Sequence, residues 1–462
     1  MAKLLNSFRF HCPVFTTEPE GFRFTVGGKH FCIDSNSLAL WELDTPDETV
    51  ELCPVKPQFQ LSPARQVGML VLESTNACNY RCKYCFNEAY DDRTGRMSFD
   101  TACQAIKTTM PKESLGRGSR APHIGFFGGE PMMNWDLVGR IVPFAQGYFH
   151  PLVPSFSMTT NASLVTPEKA LYLKENGFSF IVSVDGPEEL HDELRVYKGG
   201  KGTFKDTMAG LKALADAGVE RITLRATFVP GKEHLLEKVV FLNELCDQGM
   251  GNWVSVEPVC LTESHCISHD YGSLSSYTKE TAAQLEDQYL EVARWGIGRL
   301  KEEKPFRFHN EMKPIERLLH TRHSPSECGA GCGYMSVSYD GSVWACHRMN
   351  WGRIGNLFGG GIDEESRAKW SDNRLYSRKG CLDCGVRWMC GGGCREASLG
   401  AHRDITKPFE VSCAFMKIWI KIGAYIISEI GQDELKKLIP DPGRLRAANK
   451  NGVKGVKQEA KS

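Results

Sequence analysis

The sequence has no excess of charge of either sign: 56 Lys and Arg stand against 56 Asp and Glu over 462 residues. That balance provides no basic groove for nucleic acid and no cationic face for an anionic membrane, so neither is an expected partner. Long apolar runs are missing too, and no stretch reads as a membrane span. The opening Met1-Ala-Lys-Leu-Leu-Asn-Ser-Phe-Arg9 lacks the apolar core that directs secretion. With 41% hydrophobic and 24% charged residues, the expectation is a cytoplasmic globular protein of two or three domains.

Cysteine is what the chain has in abundance. Eighteen cysteines without a secretory signal do not suggest a disulfide framework, because the cytosol keeps thiols reduced. Their placement is uneven. Cys78, Cys82 and Cys85 form one knot, seven more lie from Cys328 to Cys394, and Cys413 follows. Cysteines at ligand spacing in a reducing compartment point to metal. The other seven, at 12, 32, 53, 103, 246, 260 and 266, share no spacing and read as core residues or inert thiols.

Residues 1–65 read as a small β-rich segment. Phe22–Val26 and His30–Asp34 alternate around a Gly27-Gly28 hairpin turn, and Ser35–Asp44 suggests a short helix capped by Ser or Asn. From 66 to 310 strand and helix signals alternate. Strands are expected at 68–73, 123–127, 156–160, 178–184, 221–229 and 253–257. Helices at 167–176 and 211–217 are closed by Gly177 and Gly218, and another spans 289–300. Six such units make an α/β parallel sheet, either doubly wound or an incomplete barrel. In both, ligands bind at the carboxyl ends of the strands. Polar or Gly-rich sequence collects there: Cys78–Cys85, Gly128-Gly-Glu-Pro131, Asn161, Asp185 and Glu257. A cysteine-rich region follows over 311–430, and 431–462 reads as a helix end and a flexible tail.

Cys78-x3-Cys82-x2-Cys85 directly after a strand can ligate three irons of a 4Fe–4S cube, leaving the fourth iron open. A zinc site or a redox thiol pair is the plainer reading of the cysteines alone. With the aromatic Tyr84 before the last cysteine, the knot resembles the signature of radical S-adenosylmethionine (radical SAM) enzymes. The resemblance implies a partial (β/α)6 TIM-like barrel with the small β-rich segment before it and an iron–sulfur domain after it. It also implies that the open iron chelates S-adenosylmethionine, whose cleavage releases a hydrogen-abstracting 5′-deoxyadenosyl radical. Phe127-Gly128-Gly129-Glu130-Pro131 is similar to the family's motif for the cofactor's amino group. Asn161, Ser183 and Asp185 match strand ends that line the cofactor site, and Arg195 is a candidate for the cofactor carboxylate.

The later cysteines resemble the SPASM extension of peptide-modifying members. That resemblance assigns Cys328, Cys332, Cys346 and Cys394 to one auxiliary 4Fe–4S cluster. Cys381, Cys384, Cys390 and Cys413 go to another, making three clusters in all. Cys332 stands outside the core pattern, and without it the first set keeps an open position. Zinc remains the alternative for C-x2-C-x5-C-x3-C.

The resemblance covers roughly 68–415 and implies an oxidoreductase acting on a ribosomally made precursor peptide, with a flavodoxin- or ferredoxin-type reductant. Two features favour a thioether-forming peptide maturase. Phe22–Leu52 resembles the start of a leader-peptide recognition module, and His347-Arg348 follows Cys346. The alternative is formylglycine generation, as in anaerobic sulfatase maturases. Those place an Asp as base where this chain has His347. Carbon–carbon cross-linking and epimerisation are further alternatives.

Overall fold

The computed structural model describes residues 2–5, 14–16, 21–53, 55–57, 66–87, 94–114, 121–259, 277–348, 352–371 and 375–439. Cys12, Cys260, Cys266 and the tail from Pro440 lie outside the described residues.

The N-terminal part forms strands β1 (Lys3–Leu4), β2 (Val14–Thr16), β3 (Gly21–Val26), β4 (Lys29–Asp34), β5 (Leu40–Leu43) and β6 (Val55–Pro57). Four of them make an antiparallel sheet in the order β1-β5-β4-β3, and β2 pairs with β6. Gly27 and Gly28 take the left-handed φ of +60° and +79° that the β3–β4 hairpin needs. The helix expected over 35–44 is a turn followed by β5. Asp34 Oδ1 accepts from the Asn36 and Ser37 amides at 2.8 and 3.1 Å, turning the chain before a helix can start. The capping residues thus serve an Asx turn, and Leu40 and Leu43 bury themselves in a strand.

Six parallel strands follow: β7 (Met69–Thr75), β8 (His123–Gly128), β9 (Ser155–Thr160), β10 (Ser179–Ser183), β11 (Ile222–Phe228) and β12 (Trp253–Pro258). They lie side by side in chain order. A doubly wound sheet reverses its order at a switch point; this one never does, so the winding is that of an incomplete barrel. The alternation along each strand sorts the faces. Leu72, Phe126, Met158, Val182, Leu224 and Val254 are buried on the helix side. Ser157, Thr159, Ser183, Arg225, Thr227, Ser255 and Glu257 fall on the opposite, inner face. A barrel interior of hydroxyls and charges is a ligand chamber rather than a packed core.

The outer helices include Phe99–Thr109, Trp135–Phe149, Pro167–Glu175, Phe204–Asp216 and Leu235–Asp247. The expected helix at 211–217 begins two turns earlier. A Cβ on Gly210 would sit 1.9 Å from the Ala162 carbonyl oxygen. Its glycine lets the helix press against the loop after β9.

The sheet continues beyond the barrel. Strands β13 (Tyr334–Ser338), β14 (Ser342–Trp344), β15 (Arg353–Asn356) and β16 (Gly361–Ile362) extend it to ten, with β13 parallel to β7. Helices Glu286–Lys301 and His309–Leu319 pack under a 21-residue helix, Glu410–Ile430. That last helix corrects the expectation of no span-length apolar run. By length and composition it could cross a membrane, with a mean hydropathy of 1.4, yet half of its apolar window is buried inside the protein. Packing against two other helices accounts for its apolarity.

Candidate functional site

All six barrel strands deliver their carboxyl ends to one rim, where the first three cysteines converge. The cysteine loop is held by the segment after β10: Arg81 and Lys83 amides donate to the Val196 and Leu194 carbonyls at 2.7 and 2.9 Å. Tyr80 is buried beneath, its hydroxyl 2.8 Å from Thr207 Oγ1. Arg81 Nη1 donates to the Cys78 carbonyl at 2.7 Å. These contacts fix the loop before any metal arrives.

The end of β8 locks against the same loop. Gly129 and Glu130 amides donate to the Thr75 and Ala77 carbonyls, both at 2.8 Å. A Cβ on Gly128 or Gly129 would lie 2.1 Å from one of those oxygens. The glycines therefore serve the approach of one protein backbone to another. Glu130 is buried; its Oε1 accepts from Thr160 Oγ1 (2.7 Å) and the Met132 amide (3.1 Å), and its Oε2 from the Asn161 amide (2.8 Å). Burial pushes its carboxyl up to about 7. With three of roughly four lone-pair sites used, it keeps acceptor capacity for one more donor. Pro131 opens a short 3-10 turn behind it. Asn161 bonds Asn79 of the cysteine loop at 2.9 Å.

Asp185 is fully buried and committed to the protein. Its Oδ2 accepts from the Tyr84 hydroxyl at 2.5 Å, and its Oδ1 from the Thr227 amide at 2.9 Å. Burial alone would raise its pKa, but the Arg195 guanidinium holds it below the usual carboxylate range. Arg195 Nε lies 3.0 Å from Asp185 Oδ2, close enough to pair but not aligned as a hydrogen bond. Its Nη1 stands 3.9 Å from Cys82 Sγ. Arg195 thus faces a cysteine sulfur, and Asp185 and Tyr84 hold it there.

A cavity of about 220 Å³ opens over the knot. Its walls include Cys78, Cys82, Tyr84, Cys85, Gly128, Gly129, Glu130, Asn161, Ser183 and Arg195. Of the sequence candidates for this site, Asp185 and Pro131 do not face it. Sequence reasoning missed Asn87, Arg225, Thr227 and Arg348, which do. Asn87 Nδ2 donates to the Gly128 carbonyl at 2.6 Å. The polar–apolar alternation of β11, which sends Arg225 and Thr227 inward, was the available signal for two of them. Glu257 lines the same cavity; burial would raise its pKa, and Arg225 beside it holds it low.

The donor chemistry fits a cluster. Burial pushes the Cys82 thiol up to about 12, so it ionises only against a metal's charge. Among the described residues no three His, Cys, Asp or Glu side chains close around a single metal ion. A cube of four irons spreads its thiolates more widely than one ion does.

Several of the eight C-terminal cysteines lie close enough to feel one another's charge. Cys346 is electrostatically coupled to Cys394, and Cys394 to Cys328. Cys332 sits in the turn before β13, its amide donating to the Gly329 carbonyl at 2.8 Å; the Gly331 amide reaches the Ala345 carbonyl at 3.3 Å, which brings that turn beside Cys346. Cys390 is coupled to Cys413 and Cys384, and Cys413 also to Cys381. Cys394 Sγ accepts from the Ala397 amide at 3.5 Å, capping helix Arg395–His402, and burial pushes its thiol up to about 11. The first set abuts the cavity: His347, directly after Cys346, lines it against Phe127, with ring centroids 4.4 Å apart. Burial, then Arg348 and Arg225, push the His347 imidazole down to about 3, so it is neutral at pH 7.

Comparison with known proteins agrees with this geometry. The Radical SAM superfamily model matches residues 72–237. The radical SAM cyclopropyl synthase TigE of Paramaledivibacter caminithermalis is 24% identical, over 78% of this chain and 75% of its own. An AdoMet-dependent heme synthase of Nitratidesulfovibrio vulgaris is 35% identical, over 73% of this chain and 89% of its own. In fold, anSMEcpe with bound AdoMet and Cp18Cys peptide superposes with a TM-score of 0.62 at 18% identity, over 78% of this chain and 98% of that one. Three clustered cysteines at the rim of an incomplete parallel barrel and a 35% identical relative together place this chain in the radical SAM superfamily, as an enzyme that uses S-adenosylmethionine and a 4Fe–4S cluster.

Proposed function

We propose that the enzyme is a peptide maturase that installs an oxidative cross-link, a thioether, in a ribosomally made precursor. When bound, the cluster and cofactor supply a 5′-deoxyadenosyl radical that takes a hydrogen atom from the substrate. Cys78, Cys82 and Cys85 hold the cluster, Arg195 faces one of its thiolates, and Glu130 with Asn161 lines the cofactor's place. Reduction calls for a flavodoxin- or ferredoxin-type partner.

One observation carries the oxidative character. The first C-terminal cysteine set meets the cavity wall at His347, so an electron acceptor built there lies beside the substrate. Carbon–sulfur bond formation then balances: one hydrogen leaves with the cofactor fragment, and the thiol hydrogen leaves as a proton with one electron. Cys328, Cys332, Cys346 and Cys394, and separately Cys381, Cys384, Cys390 and Cys413, would hold the two auxiliary clusters that take up that electron. An extended leader would pair with β3, the edge strand of the N-terminal sheet. Among the described residues, 21–53 form strands and turns and no helix.

The fold likeness to anSMEcpe keeps formylglycine generation as the second reading. Against it stands His347: an imidazole with its pKa near 3 is a poor general base at neutral pH.

The test is the intact mass of a precursor peptide encoded beside the gene, after anaerobic co-expression. The expected product is two hydrogens lighter per site, with one thiol fewer open to alkylation. A cysteine converted to an aldehyde would overturn cross-linking in favour of formylglycine. An unchanged mass under conditions that consume S-adenosylmethionine would sink cross-linking and leave epimerisation, which conserves mass, or heme synthesis, the activity named for the 35% identical relative.

A further inference from the structure

Behind the cofactor cavity lies a second chamber of about 260 Å³. The two share Glu257, Pro258, Val259 and Arg348 in their walls, so they adjoin. The 410–430 helix supplies one side of the chamber with Val411, Phe415, Met416 and Trp419; Met389 and Phe409 close it. Cys394, of the first C-terminal set, lies in its wall.

The charged groups around the chamber are already partnered. Glu327 accepts from both Lys313 and Arg317, the latter at 2.9 Å. Glu257 Oε1 accepts from Ser255 at 2.9 Å and Asn310 at 3.2 Å. A charged occupant would lose much of its hydration on entering. An apolar occupant meets aromatic rings and thioethers. Size agrees: an apolar cavity of about 150 Å³ already takes benzene, and this one is larger.

We propose that this chamber is an anchor pocket for a large apolar side chain, aromatic or branched aliphatic, of the substrate, which seats the adjoining substrate residue in the cofactor cavity. The proposal rests on the peptide reading above and gives it a selection rule. Cys394 lies in the chamber wall, so the anchored side chain would sit beside the first C-terminal cysteine set.

The test uses the anaerobic holoenzyme and three probes: N-acetyl-tryptophanamide, N-acetyl-leucinamide and N-acetyl-aspartamide, with dissociation constants from saturation-transfer NMR. One buried methylene is worth about 10–200-fold in selectivity. The two apolar probes should therefore bind at least about tenfold more tightly than the aspartyl probe. Met416→Trp, which fills the chamber, should weaken them by about tenfold. Iron content and near-UV circular dichroism check that the variant has folded, and Val411→Trp on the same wall replaces it if it has not. Equal binding of all three probes, or apolar binding unmoved by a folded filling variant, overturns the pocket. Failure of the peptide reading looks different: the apolar probes bind and respond to Met416→Trp, but no precursor peptide changes mass.

Discussion

The two cysteine regions solve the same ligation problem in opposite ways. The first gathers three thiols within eight residues, on a loop whose backbone is bonded to the end of β8 and to the segment after β10. The second draws eight thiols from an 86-residue stretch, carried on turns, two short helices and the buried 410–430 helix. In the first, local spacing does the arranging and the barrel supplies the platform. In the second, packing does the arranging. The first site should therefore fail at single backbone contacts, and the second should fail one ligand set at a time.

The largest contrast is expected from the cysteines. Cys82→Ala should reduce 5′-deoxyadenosine formation to background, at least about a thousandfold, because no other group generates the radical. Cys384→Ala should lose one cluster's share of iron, seen by elemental analysis, while S-adenosylmethionine cleavage persists. If Cys384→Ala also abolished cleavage, the two regions would not be separable as described.

Glycines sharpen the comparison at intermediate size. Gly129→Ala places a methyl 2.1 Å from the Ala77 carbonyl oxygen, and a backbone atom cannot yield without moving the cysteine loop. Poor iron incorporation at the first site and a cost above about 3 kcal/mol are expected. Gly341→Ala, at φ +82°, meets the Phe358 ring, an exposed side chain that can swing aside. Its cost should stay near the left-handed strain alone, about 1–2 kcal/mol, with all iron retained. Comparing melting temperature and iron content of the two variants decides the point.

A further contrast concerns pH. The folded-state pKa of Glu130 is about 7, above the unfolded value of about 4.3. Its contribution is thus fully present below about pH 4.3 and is lost as pH rises through 7, a loss of about 4 kcal/mol. Without cofactor, Glu130→Gln should flatten that decline in melting temperature between pH 5 and 8. Adding S-adenosylmethionine to the wild type should flatten it too, since an ammonium near the carboxylate favours ionisation. An identical decline in the variant would place the titration elsewhere.

Much of the first site was legible in the chain because it is local. Cys78–Cys85, Gly128–Pro131 and Asn161 each follow a strand whose period-2 pattern is plain, and all six barrel strands formed within a few residues of their expected bounds. What was misread turned on how side chains spend their hydrogen bonds. Asp185 looked like a cavity residue but is spent on Tyr84, Arg195 and the Thr227 amide. The 35–44 segment carried capping residues that Asp34 recruits for a turn.

The sequence by itself determined the alternation of strands and helices, the three-thiol loop and its place at a strand's carboxyl end, because spacing and periodicity are properties of neighbouring residues. Tertiary structure alone decided that the sheet winds without reversal, that β13 extends it to ten strands, and that the 410–430 helix lies half-buried. It alone also brought His347 to the cofactor cavity and opened the second chamber beside it. Those outcomes depend on which faces meet across tens or hundreds of residues, where burial and close packing choose among arrangements that local patterns leave equal.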